Sequence, residues 1–143
     1  MSAGPTASHP PQAGDALPEL SVEMTATRIV AGAIATRDFM PVHHDRAYAN
    51  SQGAPDIFMN ILSTNAHCSR YLTRWAGPDA MVKRLSIRLG VPVFPGSTLT
   101  FTGSVTAAEQ EDDELTVDVE FRASNELGDH ATGTARLTLP TGG

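Results

Sequence analysis

Residues 57–78, IFMNILSTNAHCSRYLTRWAGP, decide the fold. Apolar side chains fall at positions 57, 58, 61, 62, 68, 71, 72 and 75. That is a helical spacing, with a stripe broad enough for a helix buried over much of its surface. Gly77-Pro78 is a stop, and Asp56 is the expected N-cap of a helix over 57–75. Downstream, four segments read as strands, near 80–91, 97–109, 113–126 and 129–140, with Gly-containing or acidic turns between them. Strands joined by short turns form an antiparallel meander. A long buried helix then has to pack against the concave face of that sheet. The expected class is α+β, an antiparallel sheet with one core helix.

Upstream, SVEMTATRIVAGAIAT (21–36) is β-prone, with apolar residues recurring near period two, and predicts a strand around 24–36. Asp45 is placed to cap a short helix running to about Gln52, with Gly53 ending it. Residues 1–18 are rich in Pro, Ala, Gly and Ser and bury too little apolar surface to offset ordering entropy, so a disordered tail is expected there and a single domain over 19–143.

The chain has 143 residues, one cysteine (Cys68) and a net charge of −6. A single cysteine excludes an internal disulfide and a multi-cysteine zinc site, and suits a reducing compartment. The acidic balance lacks the phosphate-neutralising stripe of a nucleic-acid binder. No apolar run approaches the roughly 18 residues of a membrane span, and the first residues lack the pattern of a secretory signal. The expectation is a cytoplasmic protein with no nucleic-acid or membrane partner.

Chemistry concentrates in Asp38-Phe39-Met40-Pro41-Val42-His43. A carboxylate and an imidazole lie five positions apart in a non-helical loop that Pro41 stiffens. Such a pair can grip one water, take a proton from it and deliver a proton to a neighbouring carbon. Each well-placed acid or base contributes roughly 10²–10⁴-fold. On spacing alone, a turn aspartate beside a surface histidine explains the same residues.

The run from Asp38 to Ala49 resembles the MaoC-like, (R)-specific enoyl-CoA hydratase signature, through Asp38, Pro41, Val42, His43 and Ala49, with Asp45 following the same habit. VPVFPGSTLTFTGSV (91–105) and FRASNELGDHATGTARLTLP (121–140) resemble that family's strand–turn–strand and closing hairpin, so the likeness covers about 22–140. More narrowly, TRDF, VHHD, WAGP, RLGVP and LGDHAT are similar to the small MaoC-like subunits of heteromeric hydratases acting on steroid side chains in bacterial cholesterol degradation.

The resemblance implies a hot-dog fold, one sheet curled around one helix. It implies an enoyl-CoA hydratase in which Asp38 and His43 are catalytic, with a thioester oxyanion hole at the start of the central helix. The family's His-Gly pair there is replaced by Met59-Asn60, and Asn60 can supply its backbone N–H as glycine would; on that basis alone, Asn60→Ala should matter little. The family's asparagine before the proline is replaced by Met40. The implied partners are an acyl-CoA thioester and a second MaoC-like subunit, in a heterodimer or heterotetramer. No metal or redox cofactor is implied, since CoA enters only as part of the substrate.

Other residues have blander readings beside the functional one. His44 can orient His43 or contact substrate, or simply face solvent. Arg84 and Arg88 share one face of a predicted strand and can meet CoA phosphates, or be surface charges; Lys83 faces the other way. Cys68 is expected to be a small buried hydrophobe, Tyr71 and Trp75 core anchors, and His130 an exposed residue at a hairpin turn. A hot-dog thioesterase needs a carboxylate on the central helix, and 57–75 contains no Asp or Glu. A non-catalytic acyl-CoA-binding or scaffold subunit is the remaining alternative, against which the intact Asp38/His43 pair argues.

Overall fold

The computed structural model describes residues 9–141. The strands are β1 (Ala16–Met24), β2 (Met81–Leu89), β3 (Ser97–Glu111), β4 (Glu114–Asn125) and β5 (Gly128–Pro140); the helices are α1 (Ala26–Ala35), α2 (Arg46–Ser51) and α3 (Ile61–Ala76). All five strands form one antiparallel sheet in the order β1-β3-β4-β5-β2. The α3 side chains Cys68, Tyr71, Leu72 and Trp75 are buried in one core with Leu99, Phe101, Val117, Val119 and Leu137 from the sheet. This is the hot-dog arrangement, and each large aliphatic side chain so buried contributes roughly 1.5–3 kcal/mol.

The four strands from β2 to β5 lie within two residues of their expected bounds, because alternation of apolar and polar residues specifies a half-buried strand. Their order departs from a simple meander. β1 takes the free edge of β3, so β2 can pair only at the far edge, against β5. The loop 90–96 therefore crosses the end of the sheet. It is held by Val91 N–H to Asp129 O (2.9 Å), Met59 N–H to Val93 O (3.0 Å) and Asn125 Nδ2 to Pro92 O (3.1 Å).

The segment expected as a strand at 24–36 is helix α1. Thr25 caps it by accepting from Arg28 N–H, and the alanine-rich run ATRIVAGAIA favours helix. Its buried residues, Ile29 and Ala33, are four apart and so share one helical face. The strand is β1 instead, beginning inside the segment expected as tail. Pro18 is accommodated there at an edge, where the pairing with β3 shifts register between Leu17 and Leu20. Pro11 is buried and Gly14 N–H donates to Val105 O at 2.9 Å, so the ordered chain reaches back before residue 18; the tail's first eight residues lie outside the described ones. Asp45 caps α2 through Tyr48 N–H as expected, and Gly77 ends α3 at φ 98°.

Asp56 does not cap the central helix. It binds Arg46 in a two-point ion pair (3.0 and 2.9 Å), and residues 57–60 form no helix. The cap is Asn60, whose Oδ1 accepts from Ser63 N–H at 3.3 Å.

Candidate active site

Asp38 leaves the end of α1 at a fixed angle. Thr36 N–H donates to Gly32 O (3.1 Å), Arg37 N–H to Ile34 O (3.0 Å) and Asp38 N–H to Ala33 O (2.9 Å). With Arg37 at φ 58°, this is a Schellman stop carried by arginine where glycine is usual. His43 closes the 3-10 turn Pro41–His43, whose first position Pro41 suits because no N–H is needed there. The loop thus folds back, and Asp38 Oδ2 lies 3.3 Å from His43 Nε2.

Each member of this pair is held by other groups. His43 Nδ1 lies 2.7 Å from the Phe58 carbonyl, and the imidazole meets the Phe58 ring edge-on at 5.1 Å. A carbonyl only accepts, so Nδ1 carries the proton and Nε2 is the nitrogen turned to Asp38. In the neutral imidazole that leaves two acceptors facing each other, Nε2 and Oδ2. They are satisfied together only by a shared proton or by a donor such as water between them. Asp38 Oδ2 also accepts from Asn60 Nδ2 (3.1 Å), and Oδ1 accepts from Met40 N–H (3.3 Å). The Asp38 side chain keeps 27% of its surface exposed while that of His43 keeps 9%, so the pair is approached from the Asp38 side.

Asn60 joins three elements. Its side chain caps α3, and Nδ2 reaches both Asp38 and Thr36 Oγ1 (2.9 Å). Its backbone N–H has no acceptor among the described residues. That free N–H lies at the positive end of a 16-residue helix, a setting that attracts negative charge. The side-chain contact with Asp38 is the feature that reading the backbone N–H alone missed. Asn60, Ser63 and Thr64 are buried in this first turn while Ile61 and Leu62, counted in the apolar stripe from sequence, are exposed, so the spacing pointed away from Asn60. Phe39 and Met40, which follow Asp38 in the loop, are exposed as well.

The remaining candidates are not brought to this point. His44 is exposed and turned to Phe39 O at 3.4 Å. Arg84 and Arg88 face outward from the sheet, opposite Arg136 and Thr132 of β5. A recess of about 710 Å³ opens on that outer face, lined by Arg88, Arg122, Glu120 and several Ser and Thr side chains. It contains none of Asp38, His43 or Asn60. Cys68 is buried, and burial pushes its thiol up to about 12. His130 is not exposed as expected but buried, 4% accessible. Among the described residues no group of three or more His, Cys, Asp or Glu side chains could hold a metal ion, and no helix is long and apolar enough to cross a membrane.

Comparisons with known proteins bear on the family and the fold. The family described as MaoC like domain matches residues 10–126. The chain is 49% identical over 126 residues to the 3-oxo-4,17-pregnadiene-20-carboxyl-CoA hydratase beta subunit of Mycobacterium tuberculosis, covering 88% of this chain and 95% of that one. It is similar to a chain of the ChsH1-ChsH2 complex from Mycobacterium tuberculosis, with a TM-score of 0.82 and 46% identity over 89% of this chain and 97% of that one. The (R)-hydratase from A. caviae involved in PHA biosynthesis shares the fold, with a TM-score of 0.80 at 24% identity over 90% of this chain and 97% of that one.

Proposed function

The chain belongs to the MaoC-like domain family, and from that premise we propose that it is an enoyl-CoA hydratase subunit acting on a steroid side-chain CoA thioester through Asp38 and His43. The observation that carries the reading is the 3.3 Å approach of His43 Nε2 to Asp38 Oδ2, with the imidazole tautomer set by Phe58 O. A water held between the two gives up a proton to the pair as its oxygen adds to Cβ of the double bond. The electron pair of the alkene moves through the conjugated carbonyl to the thioester oxygen. The Asn60 N–H, at the start of α3, is the donor for that developing oxyanion, and such a donor is worth about 2.7–4 kcal/mol. The pair then returns a proton to Cα, so water is added across the bond and the enzyme regains its starting state. No metal or redox group takes part in these steps, and CoA is present only as the substrate's carrier.

The substrate class is supported by the relative at 49% identity, named as a hydratase of a pregnadiene carboxyl-CoA. The exposed apolar side chains next in sequence to Asp38 and Asn60, namely Phe39, Met40, Ile61 and Leu62, suit a hydrophobic acyl group. That relative is a beta subunit, and the similar solved chain is part of a two-protein complex, which supports a second, MaoC-like subunit as this chain's partner.

The test is hydration of a steroid side-chain enoyl-CoA by this chain, alone and with the partner subunit. Asp38→Asn and His43→Ala should each lower the rate at least ~10²-fold with folding intact. Near-normal hydration in either variant overturns the assignment. Thioester binding with no hydration by the wild-type mixture would instead make this chain a binding or scaffold subunit.

A further inference from the structure

The pairing of β4 with β5 breaks at one place. Ala123 lies opposite Ala131 and Ser124 opposite Asp129, which leaves His130 as the extra residue of a bulge. Without it, alternation with the buried Ala131 and Ala135 would put His130 on the outer face. A bulge re-aims a side chain, and this one turns His130 inward. Its Nδ1 lies 2.6 Å from Val91 O in the crossover loop, and its Nε2 lies 2.8 Å from Thr64 Oγ1 in the first turn of α3.

These contacts assign the hydrogens. Val91 O only accepts, so Nδ1 holds a proton; burial disfavours the charged ring and lowers its pKa, leaving Nε2 an acceptor. The Thr64 hydroxyl therefore donates to His130. A helical threonine ordinarily turns its hydroxyl to the carbonyl four residues back, and here that contact, to Asn60 O, is the longer one at 3.3 Å. Thr64 N–H meanwhile donates to Asn60 O at 3.2 Å. A continuous set of bonds thus runs from the crossover loop through His130 and Thr64 to Asn60, whose side chain holds Asp38.

We infer that His130 is a positioning residue of the hydratase site: by accepting from Thr64 it fixes the first turn of α3, and with it the Asn60 amide against Asp38 and the Asn60 N–H at the oxyanion position. The inference rests on the proposed function. It also accounts for a buried polar pair at a spot that apolar side chains would fill without the desolvation cost of two polar groups.

The experiment uses the full chain with the partner subunit and measures kcat, KM and melting temperature for Thr64→Val, His130→Leu, Thr64→Ser, His130→Gln and the Thr64→Val/His130→Leu double variant. Asp38→Asn runs beside them. Thr64→Val keeps the volume and removes the hydroxyl; His130→Gln keeps an acceptor. Misplacing a reacting group by about 1 Å can cost ~10²-fold, so Thr64→Val and His130→Leu should each lower kcat about tenfold or more with KM within about twofold. Thr64→Ser and His130→Gln should recover most of that loss. The double variant should be no worse than the worse single one, as expected of two residues sharing one interaction. If Thr64→Val and His130→Leu lower only the melting temperature and leave kcat at the wild-type value, or if the conservative variants fail to recover it, His130 is structural and the inference is overturned. Should His130→Leu fail to fold, Thr64→Val and Thr64→Ser decide alone. If Asp38→Asn hydrates normally, the proposed function itself has failed, an outcome separate from an inactive Asp38→Asn beside a normal Thr64→Val.

Discussion

Replacing Asn60 by alanine removes three interactions at once, and the structure sets the size of the loss. The N-cap bond to Ser63 N–H is worth about 1 kcal/mol. The bond from Nδ2 to the Asp38 carboxylate belongs to the class worth about 1.5–3 kcal/mol. Because the Asp38 side chain is 27% exposed and can recover water, the lower end applies, and roughly 2–3 kcal/mol is expected in total. For a domain near this size that lowers the melting temperature by roughly 5–10 °C. Asn60→Asp separates the parts. It restores the cap acceptor but sets a carboxylate where the amide stood, 3.1 Å from Asp38 Oδ2. Like charges at that distance repel, so Asn60→Asp should be no more stable than Asn60→Ala at neutral pH despite its intact cap. Both variants should slow hydration, followed as loss of the conjugated enoyl thioester absorbance, by about tenfold or more because Asp38 loses its anchor. Melting temperatures from calorimetry and initial rates from that assay check both halves. An Asn60→Ala protein with wild-type rate and stability would show that only the backbone N–H of Asn60 matters and would refute the amide's role.

Three further outcomes follow from burial. His67 and His130 both have pKa values lowered from the ordinary 6.5, chiefly by desolvation. The unfolded chain therefore binds more protons just below pH 6.5, and the stability present above that pH is lost as pH falls toward the folded values. Denaturant titrations between pH 5 and 7 should show this decline, and His130→Gln should make it shallower. Cys68, with its thiol pushed up to about 12, should resist iodoacetamide at pH 8 in the folded protein and react once the chain is unfolded. A Cβ at Gly133 would lie 2.5 Å from Ser86 O and 2.6 Å from Phe121 Cζ, so Gly133→Ala should cost about 1–3 kcal/mol in denaturant melts by pushing β2 from β5.

What could be read in the chain, and what could not, divides along physical lines. β3, β4 and β5 were legible because Leu99, Phe101 and Val105, or Val117, Val119 and Phe121, alternate with polar neighbours and one face is buried. α1 was not, since a run of Ala, Ile and Val satisfies both periods and only the Thr25 cap and the alanine content tip it to helix. β1 was hidden by Pro18, which a central strand would exclude but an edge with shifted register tolerates. Missing β1 then misplaced β2, because the free edge of β3 looked available. The Asp38/His43 pair was legible from a short loop motif. Its supports were not: Asn60, Thr64 and His130 come from two elements 66 residues apart at the longest bond, and no local pattern announces a contact of that separation.

Several places where local rules fail gather around Asp38. Arg37 adopts a left-handed conformation that costs a non-glycine residue about 1–2 kcal/mol. Ser63 Oγ is buried with no hydrogen-bond partner. Ile61 and Leu62 are exposed while the polar side chains next to them in the same turn are buried, and His130 needs a bulge to face inward. Each feature alone lowers stability and would be removed in a chain selected for folding only. Away from this corner the protein has a contiguous apolar core, and the other non-glycine residue at positive φ, Asp112 (φ 54°), sits in the turn between β3 and β4. The costs are connected by geometry: Arg37 aims Asp38, the inverted turn presents Asn60, and the bulge supplies the acceptor that holds Thr64. A stable core tolerates such a concentration of unfavourable choices, and their convergence on one carboxylate is what the proposed site at Asp38 requires of the fold.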